Sequence, residues 1–235
     1  MMERLARGQA LAALGSAQKP AAGVPAYLRW VNRPLGGRVA VEAATLGATP
    51  NQLTAVSAAL GAGGVLFIGL APGPWAPVLG ALLLLAGYVF DSADGQLSRI
   101  QRGGSPAGEW LDHVVDGVRA PLVHIAVAAH LFRAESPPGL IAVAVLFSVL
   151  VSAWFLSQLL AEKLLPKSTA RPARGRPGFV DSLVKQPQDP STTYVVIALL
   201  GLPVVFALLY PLLFLWHLLT FGASLSRKYR QLRSL

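Results

Sequence analysis

Four carboxylates, Asp91, Asp94, Asp112 and Asp116, lie close together in a chain of 235 residues that is only 13% charged. They are spaced i, i+3 and i, i+4, so each pair falls on one face of a helix. Gly103-Gly104 marks a turn between the pairs. An antiparallel hairpin closed there sets Asp91 opposite Asp116 and Asp94 opposite Asp112, which brings four acids to one place. Like charges gathered in a low-dielectric medium need compensation, and all-oxygen clusters suit hard divalent cations such as Mg²⁺, Mn²⁺ or Ca²⁺. The plain alternative is a set of acids on a water-facing helix. Residues 82–90 and 118–132, which flank the cluster, are too apolar for that.

The elements that must hold these acids are membrane spans. Mean hydropathy is +0.54, 54% of residues are apolar, and several runs approach the ~20 residues needed to cross a bilayer. The composition therefore predicts an all-α integral membrane protein. There are no cysteines, which excludes disulfides, thiolate nucleophiles and cysteine-bound zinc. The net charge of +9 raises nucleic acid as a partner, but the placement of the basic residues argues for membrane orientation instead.

Residues 1–25 are small, polar and punctuated by Gly and Pro, and are expected to be poorly ordered, with no cleavable signal peptide. Residues 26–48 read as an interfacial amphipathic helix: Leu35, Val39, Ala43 and Leu46 recur at helical spacing among Arg29, Arg33 and Arg38, and Trp30 suits the headgroup level. An ordinary amphipathic helix packed on protein is the alternative. Thr49 is the expected N-cap of the first span, with Pro50 in its first turn.

Residues 49–225 form the membrane domain, with spans near 53–70, 75–99, 106–132 and 140–160, and two more packed into 192–224 around a tip at Gly201-Pro203 or Tyr210-Pro211. The count of six rests on charge. With both termini in the cytoplasm, 18 of the 20 Lys and Arg residues are cytoplasmic, as the positive-inside rule requires. Five spans would put the basic tail, 226–235, on the far side. The acids then lie just below the cytoplasmic surface.

The run Asp91-x2-Asp94-Gly95-x2-Ser98-Arg99-x8-Gly108-x3-Asp112-x3-Asp116 resembles the signature of the CDP-alcohol phosphotransferase (CDP-alcohol phosphatidyltransferase) family, D-x2-D-G-x2-A-R-x8-G-x3-D-x3-D. Ser98 in place of Ala is the one departure. The resemblance implies attack of an alcohol hydroxyl on the β-phosphorus of a CDP-alcohol, with loss of CMP and formation of a phosphodiester. It implies that Asp91, Asp94 and Asp112 are metal ligands for Mg²⁺ or Mn²⁺ in a two-metal site. Asp116 completes that site and serves as the base. It also implies nucleotide contacts from Asp94, Gly95, Ser98, Arg99 and Gly108, although Gly108 would equally serve tight helix packing. A homodimer is a further implication.

Arg119 lies three residues beyond Asp116, as a counter-charge to it or as a contact for a substrate phosphate. Lys163, Lys167, Lys185 and Arg227 are the other candidates to bind an acceptor; their plain role is topology. His113, His124, His130, Trp154 and Trp216 read as helix or lipid neighbours. The expected reaction joins CDP-diacylglycerol to a polar alcohol, such as inositol phosphate or glycerol phosphate, in phospholipid synthesis at a bacterial-type inner membrane. A soluble CDP-alcohol with a lipid or polyol acceptor is the alternative. From other classes come a divalent-cation transporter, against which the absence of repeated halves speaks, and an inactive scaffold homologue.

Overall fold

The computed structural model describes residues 4–16, 18, 20, 23–166 and 178–235, and every regular element among them is helical. Helix α1 is Arg7–Ser16, a π-helical turn spans Leu28–Asn32, and α2 is Arg33–Leu46. The long helices follow: α3 Pro50–Leu70, α4 Ala76–Ile100, α5 Pro106–Arg133 and α6 Pro138–Leu164. After the short α7, Phe179–Val184, come α8, Pro190–Ala198, and α9, Pro203–Arg233. Among the described residues five helices, α3 to α6 and α9, are long and apolar enough to cross a membrane.

Local chemistry starts these helices where the sequence predicts. Thr49 Oγ1 accepts from the Gln52 amide at 3.3 Å, and Gln52 Oε1 accepts from the Thr49 amide at 2.8 Å, a reciprocal capping box followed by Pro50. Ser105 caps α5 with a single bond, its Oγ accepting from the Gly108 amide at 3.0 Å. Helix α4 closes with the Gly103 amide on Ser98 O at 3.0 Å and the Arg102 amide on Arg99 O at 3.2 Å, a Schellman closure. Its left-handed residue is Arg102, at φ 51°, not the glycine after it.

The packing shows what holds the expected antiparallel hairpin of α4 and α5 together. The two helices do not pack closely on each other; each leans on α3, which lies against both. Glycines set the α3–α4 approach: a Cβ on Gly64 would stand 2.7 Å from Gly80 O. With α3 as the shared brace, the space between α4 and α5 stays open at the end that carries Arg99.

Three further expectations are modified. Residues 7–16, expected to be poorly ordered, form α1, which packs on α2 with Ala10 fully buried and the Leu5 amide on Ala44 O at 3.3 Å. Helix α2 turns Gly36, Ala40 and Ala43–Ala44 inward against protein, while Leu35 and Leu46 face outward. The stretch expected to hold two spans contains one long helix, α9, and a helical run of twelve residues, Pro190–Gly201. That run covers about 18 Å, short of the ~30 Å hydrocarbon core; Leu202, the residue before Pro203, leaves the helical conformation at φ -119°. The tip falls at Gly201–Pro203, one of the two expected places.

The ends of the bundle are well defined. Arg133 donates to Ala71 O at 3.1 Å, and a Cβ on Gly201 would lie 3.4 Å from Pro74 O, so the end of α5 and the end of the α8 run meet the α3–α4 turn. At the other end Lys228 Nζ donates to Gln158 Oε1 at 2.6 Å. The C-terminal parts of α6 and α9 therefore run side by side.

Candidate active site

Helix register delivers the acids. On α4, Asp91 and Asp94 follow an apolar stretch that packs on α3, and on α5, Asp112 and Asp116 follow the Ser105 cap. One carboxylate oxygen each from Asp91, Asp112 and Asp116 lies within 4.8 Å of the others. Ligand oxygens around a hard divalent ion stand about 2.0–2.6 Å from it. Three oxygens at this spacing therefore fit such an ion with little movement, and an all-oxygen donor set suits hard divalent cations as a class.

Asp94 stands apart from the three. It is buried, and Thr54 Oγ1 on α3 donates to its Oδ2 at 2.6 Å. It borders the same cleft as Asp112, together with Gly95, Ser98, Arg99 and Gly108. All the residues that the motif assigns to a nucleotide thus share one cleft, about 630 Å³ in volume, at the Arg99 end of the bundle. Gly108 has its plain constraint as well, since a Cβ there would lie 3.0 Å from Asn51 Oδ1.

A second cleft of about 290 Å³ opens on the other side of the acids. Asp91, Asp116 and Arg119 line it, with Trp154, Phe155 and Gln158 of α6, Thr193 and Tyr194 of α8, and His217 of α9. Arg119 Nη2 donates to Asp91 Oδ1 at 2.7 Å and to Asp116 Oδ1, and its Nη1 donates to Ser57 Oγ at 2.8 Å. The expected counter-charge to Asp116 is therefore also the counter-charge to Asp91.

The remaining candidates fall elsewhere. Lys185 pairs with Asp181 at 3.2 Å, and Lys163 and Arg227 are exposed; none of the three lines either cleft. Gln158 reaches the second cleft, and Lys163, more than a turn further along α6, is carried past it toward the surface. Lys167 lies outside the described residues. His113 stands 3.9 Å from Glu109 with its ring on Phe155, and His124 is buried against Phe147 with Tyr210 OH at 2.7 Å, so both are helix neighbours as expected. His124 and Trp154, both read as neighbours, also line the second cleft.

Sequence reasoning missed Thr54 and Ser57, the residues of α3 that hold Asp94 and Arg119. Their signal was present: two hydroxyls at i, i+3 on a helix whose only other polar side chains, Asn51 and Gln52, lie in its first turn. The polar residues of α8 that enter the second cleft carry no such mark.

This arrangement, with clustered carboxylates between a polar cleft and a largely apolar one, suits phosphoryl chemistry on a molecule with a water-soluble part and a membrane-soluble part. A sequence model of the CDP-alcohol phosphatidyltransferase family matches residues 47–223, from the end of α2 into α9, and so takes in both clefts. No curated protein matches the chain.

Proposed function

The chain belongs to the CDP-alcohol phosphatidyltransferase family, and from that premise we propose that it joins CDP-diacylglycerol to the hydroxyl of a polar alcohol, such as inositol phosphate or glycerol phosphate, and releases CMP. The observation that carries this reading is the convergence of Asp91, Asp112 and Asp116 at the border between the cleft lined by the motif's glycines and Arg99 and the cleft that holds Arg119.

The cytidine and its phosphates occupy the first cleft. Gly95 and Gly108 keep its walls free of side chains, and Arg99 and Ser98 offer donors to phosphate oxygens. Asp91, Asp94, Asp112 and Asp116 would hold Mg²⁺ or Mn²⁺, Asp112 serving both the cluster and the Asp94 side. Bound there, the ions supply neutralisation of the diphosphate charge as one P–O bond forms and another breaks.

The acceptor hydroxyl approaches from the second cleft. Asp116 takes its proton, the oxygen bonds to the β-phosphorus, and the bond to the CMP oxygen breaks with its electron pair leaving on CMP. Asp94 is kept in place by Thr54, so part of the chain's contribution is orientation before reaction.

A second reading has its own support. The wall formed by Val123, Val151, Trp154 and Phe155 would suit a membrane-dissolved acceptor, with a soluble CDP-alcohol in the first cleft. For topology, the α8 run reaches the α3–α4 turn and the ends of α6 and α9 lie together. Both facts support a sixth crossing completed by residues 178–201, with the acids and both termini facing the cytoplasm of a bacterial-type inner membrane.

The test is CMP release by purified protein with Mg²⁺ or Mn²⁺, from CDP-diacylglycerol and from soluble CDP-alcohols, each against a panel of acceptors. Product masses choose between the two readings, and no CMP from any pair would overturn both. Asp116→Asn should lower the rate by about 10²–10⁴-fold while the protein keeps its thermal midpoint.

A further inference from the structure

We propose that Arg119 is a resident counter-cation that holds Asp91 and Asp116 in place while no divalent ion is bound and must release them when one binds. The inference rests on the reading of these acids as a metal site and concerns how that site is kept ready. Arg119 Nη2 bonds two of the three clustered carboxylates, one on α4 and one on α5. Those helices do not pack closely on each other, so the guanidinium joins them where side-chain packing does not. Left uncompensated in a low-dielectric setting, the three carboxylates would repel one another and spread.

The route of the side chain is built for this role. Arg119 passes α3 at Gly61, where a Cβ would stand 3.1 Å from Arg119 Cδ; a larger residue would block the path to Asp91. Its Nη1 rests on Ser57 Oγ, whose own hydroxyl donates to Gly87 O at 2.9 Å. Ser57 oxygen is thus committed as an acceptor for the guanidinium. It can retain the Nη1 bond when Nη2 lets go, and the second cleft, which Arg119 borders, gives the group room to turn.

A divalent ion would draw on two of the same carboxylates, those of Asp91 and Asp116. A guanidinium within hydrogen-bond distance of them repels that ion, and the repulsion is large where water is scarce. The arginine therefore sets metal affinity below that of the carboxylates alone and supports the metal-free fold. Its role is positioning, exerted through Asp91 and Asp116.

The experiment is Mn²⁺ titration of the purified full-length protein in detergent, with free Mn²⁺ read by electron paramagnetic resonance. Thermal unfolding in chelator and in saturating Mn²⁺ accompanies it. Arg119→Gln should lower the Mn²⁺ Kd about tenfold or more. Its thermal midpoint should fall by several degrees in chelator and return toward that of the unmodified protein in Mn²⁺. A Kd equal to or weaker than that of the unmodified protein, or a midpoint deficit that persists in Mn²⁺, overturns the inference. Arg119→Lys keeps a charge but cannot span both acids as a fork does, and its Kd should fall by about threefold. If Arg119→Gln does not fold, an unchanged Kd in Arg119→Lys overturns the inference. Absence of Mn²⁺ binding by the unmodified protein would end both this inference and the metal reading beneath it.

Discussion

Thr54 and Asp94 are joined by a 2.6 Å hydrogen bond, hydroxyl to carboxylate, between α3 and α4. Both residues are buried, so the bond acts where water competes little. It fixes the acid that borders the first cleft to the helix that braces the site.

Removing that donor leaves a buried carboxylate short of a partner. Thr54→Val, nearly the same in volume, should cost about 1–3 kcal/mol of stability and raise KM for the CDP-alcohol more than it lowers kcat. Thr54→Ser should restore most of both. Thermal unfolding and steady-state CMP release check this, and a Val variant with unchanged KM would remove Thr54 from the site.

Gly108 separates a nucleotide role from a packing role. A Cβ there would lie 3.0 Å from Asn51 Oδ1, and both residues line the first cleft. Gly108→Ala should raise KM for the donor about tenfold while leaving stability unchanged or slightly improved, because Ala is the better helix former by ~1 kcal/mol. Loss of stability with KM intact would return this glycine to packing.

Metal removal should act on both rate and fold. Chelator should abolish CMP release, and Mg²⁺ or Mn²⁺ should restore it. At ion concentrations a hundredfold above Kd, binding stabilises the native state by about 2.7 kcal/mol, read as a higher thermal midpoint. Asp112→Asn, with one of the three clustered carboxylates neutralised, should lose most of that rise.

The α3–α4 contact leaves no room for a methyl group. Gly64→Ala places a Cβ 2.7 Å from the backbone oxygen of Gly80, an atom that cannot swing aside. The expected cost is about 1–3 kcal/mol, larger than the gain in helix propensity. An unchanged thermal midpoint would show that α3 and α4 can separate freely.

Topology can be read by labelling, because the chain contains no cysteine. Single cysteines at Ser226, at Ser136 and at Leu202, probed in intact cells with an impermeant maleimide, should divide two ways. Ser136→Cys and Leu202→Cys should react from outside and Ser226→Cys only after permeabilisation. Labelling of Leu202→Cys from the same side as Ser226→Cys would rule out the sixth crossing.

Much of this protein follows from short-range chemistry, which a linear chain displays openly. The Thr49 cap and the starts of α3 to α6 each depend on residues within a few positions of one another, and each lies within about two residues of its expected place. The basic residues proposed for the acceptor fared differently. Lys163 and Arg227 were placed by charge alone, and charge does not say how far past the acids a helix carries its last turn.

From residue order alone came the four acids as candidates and the family they point to, because a motif with fixed gaps on helices is local geometry; the expected meeting of all four at one place is narrowed to Asp91, Asp112 and Asp116. Folding decided the rest: that α3 stands between α4 and α5, that Arg119 reaches Asp91 by way of Gly61 and Ser57, and that α6, α8 and α9 enclose a second cleft. Those outcomes depend on which helices approach closely, and that is set by pairs such as Gly64 and Gly80, far apart along the chain and complementary only in shape.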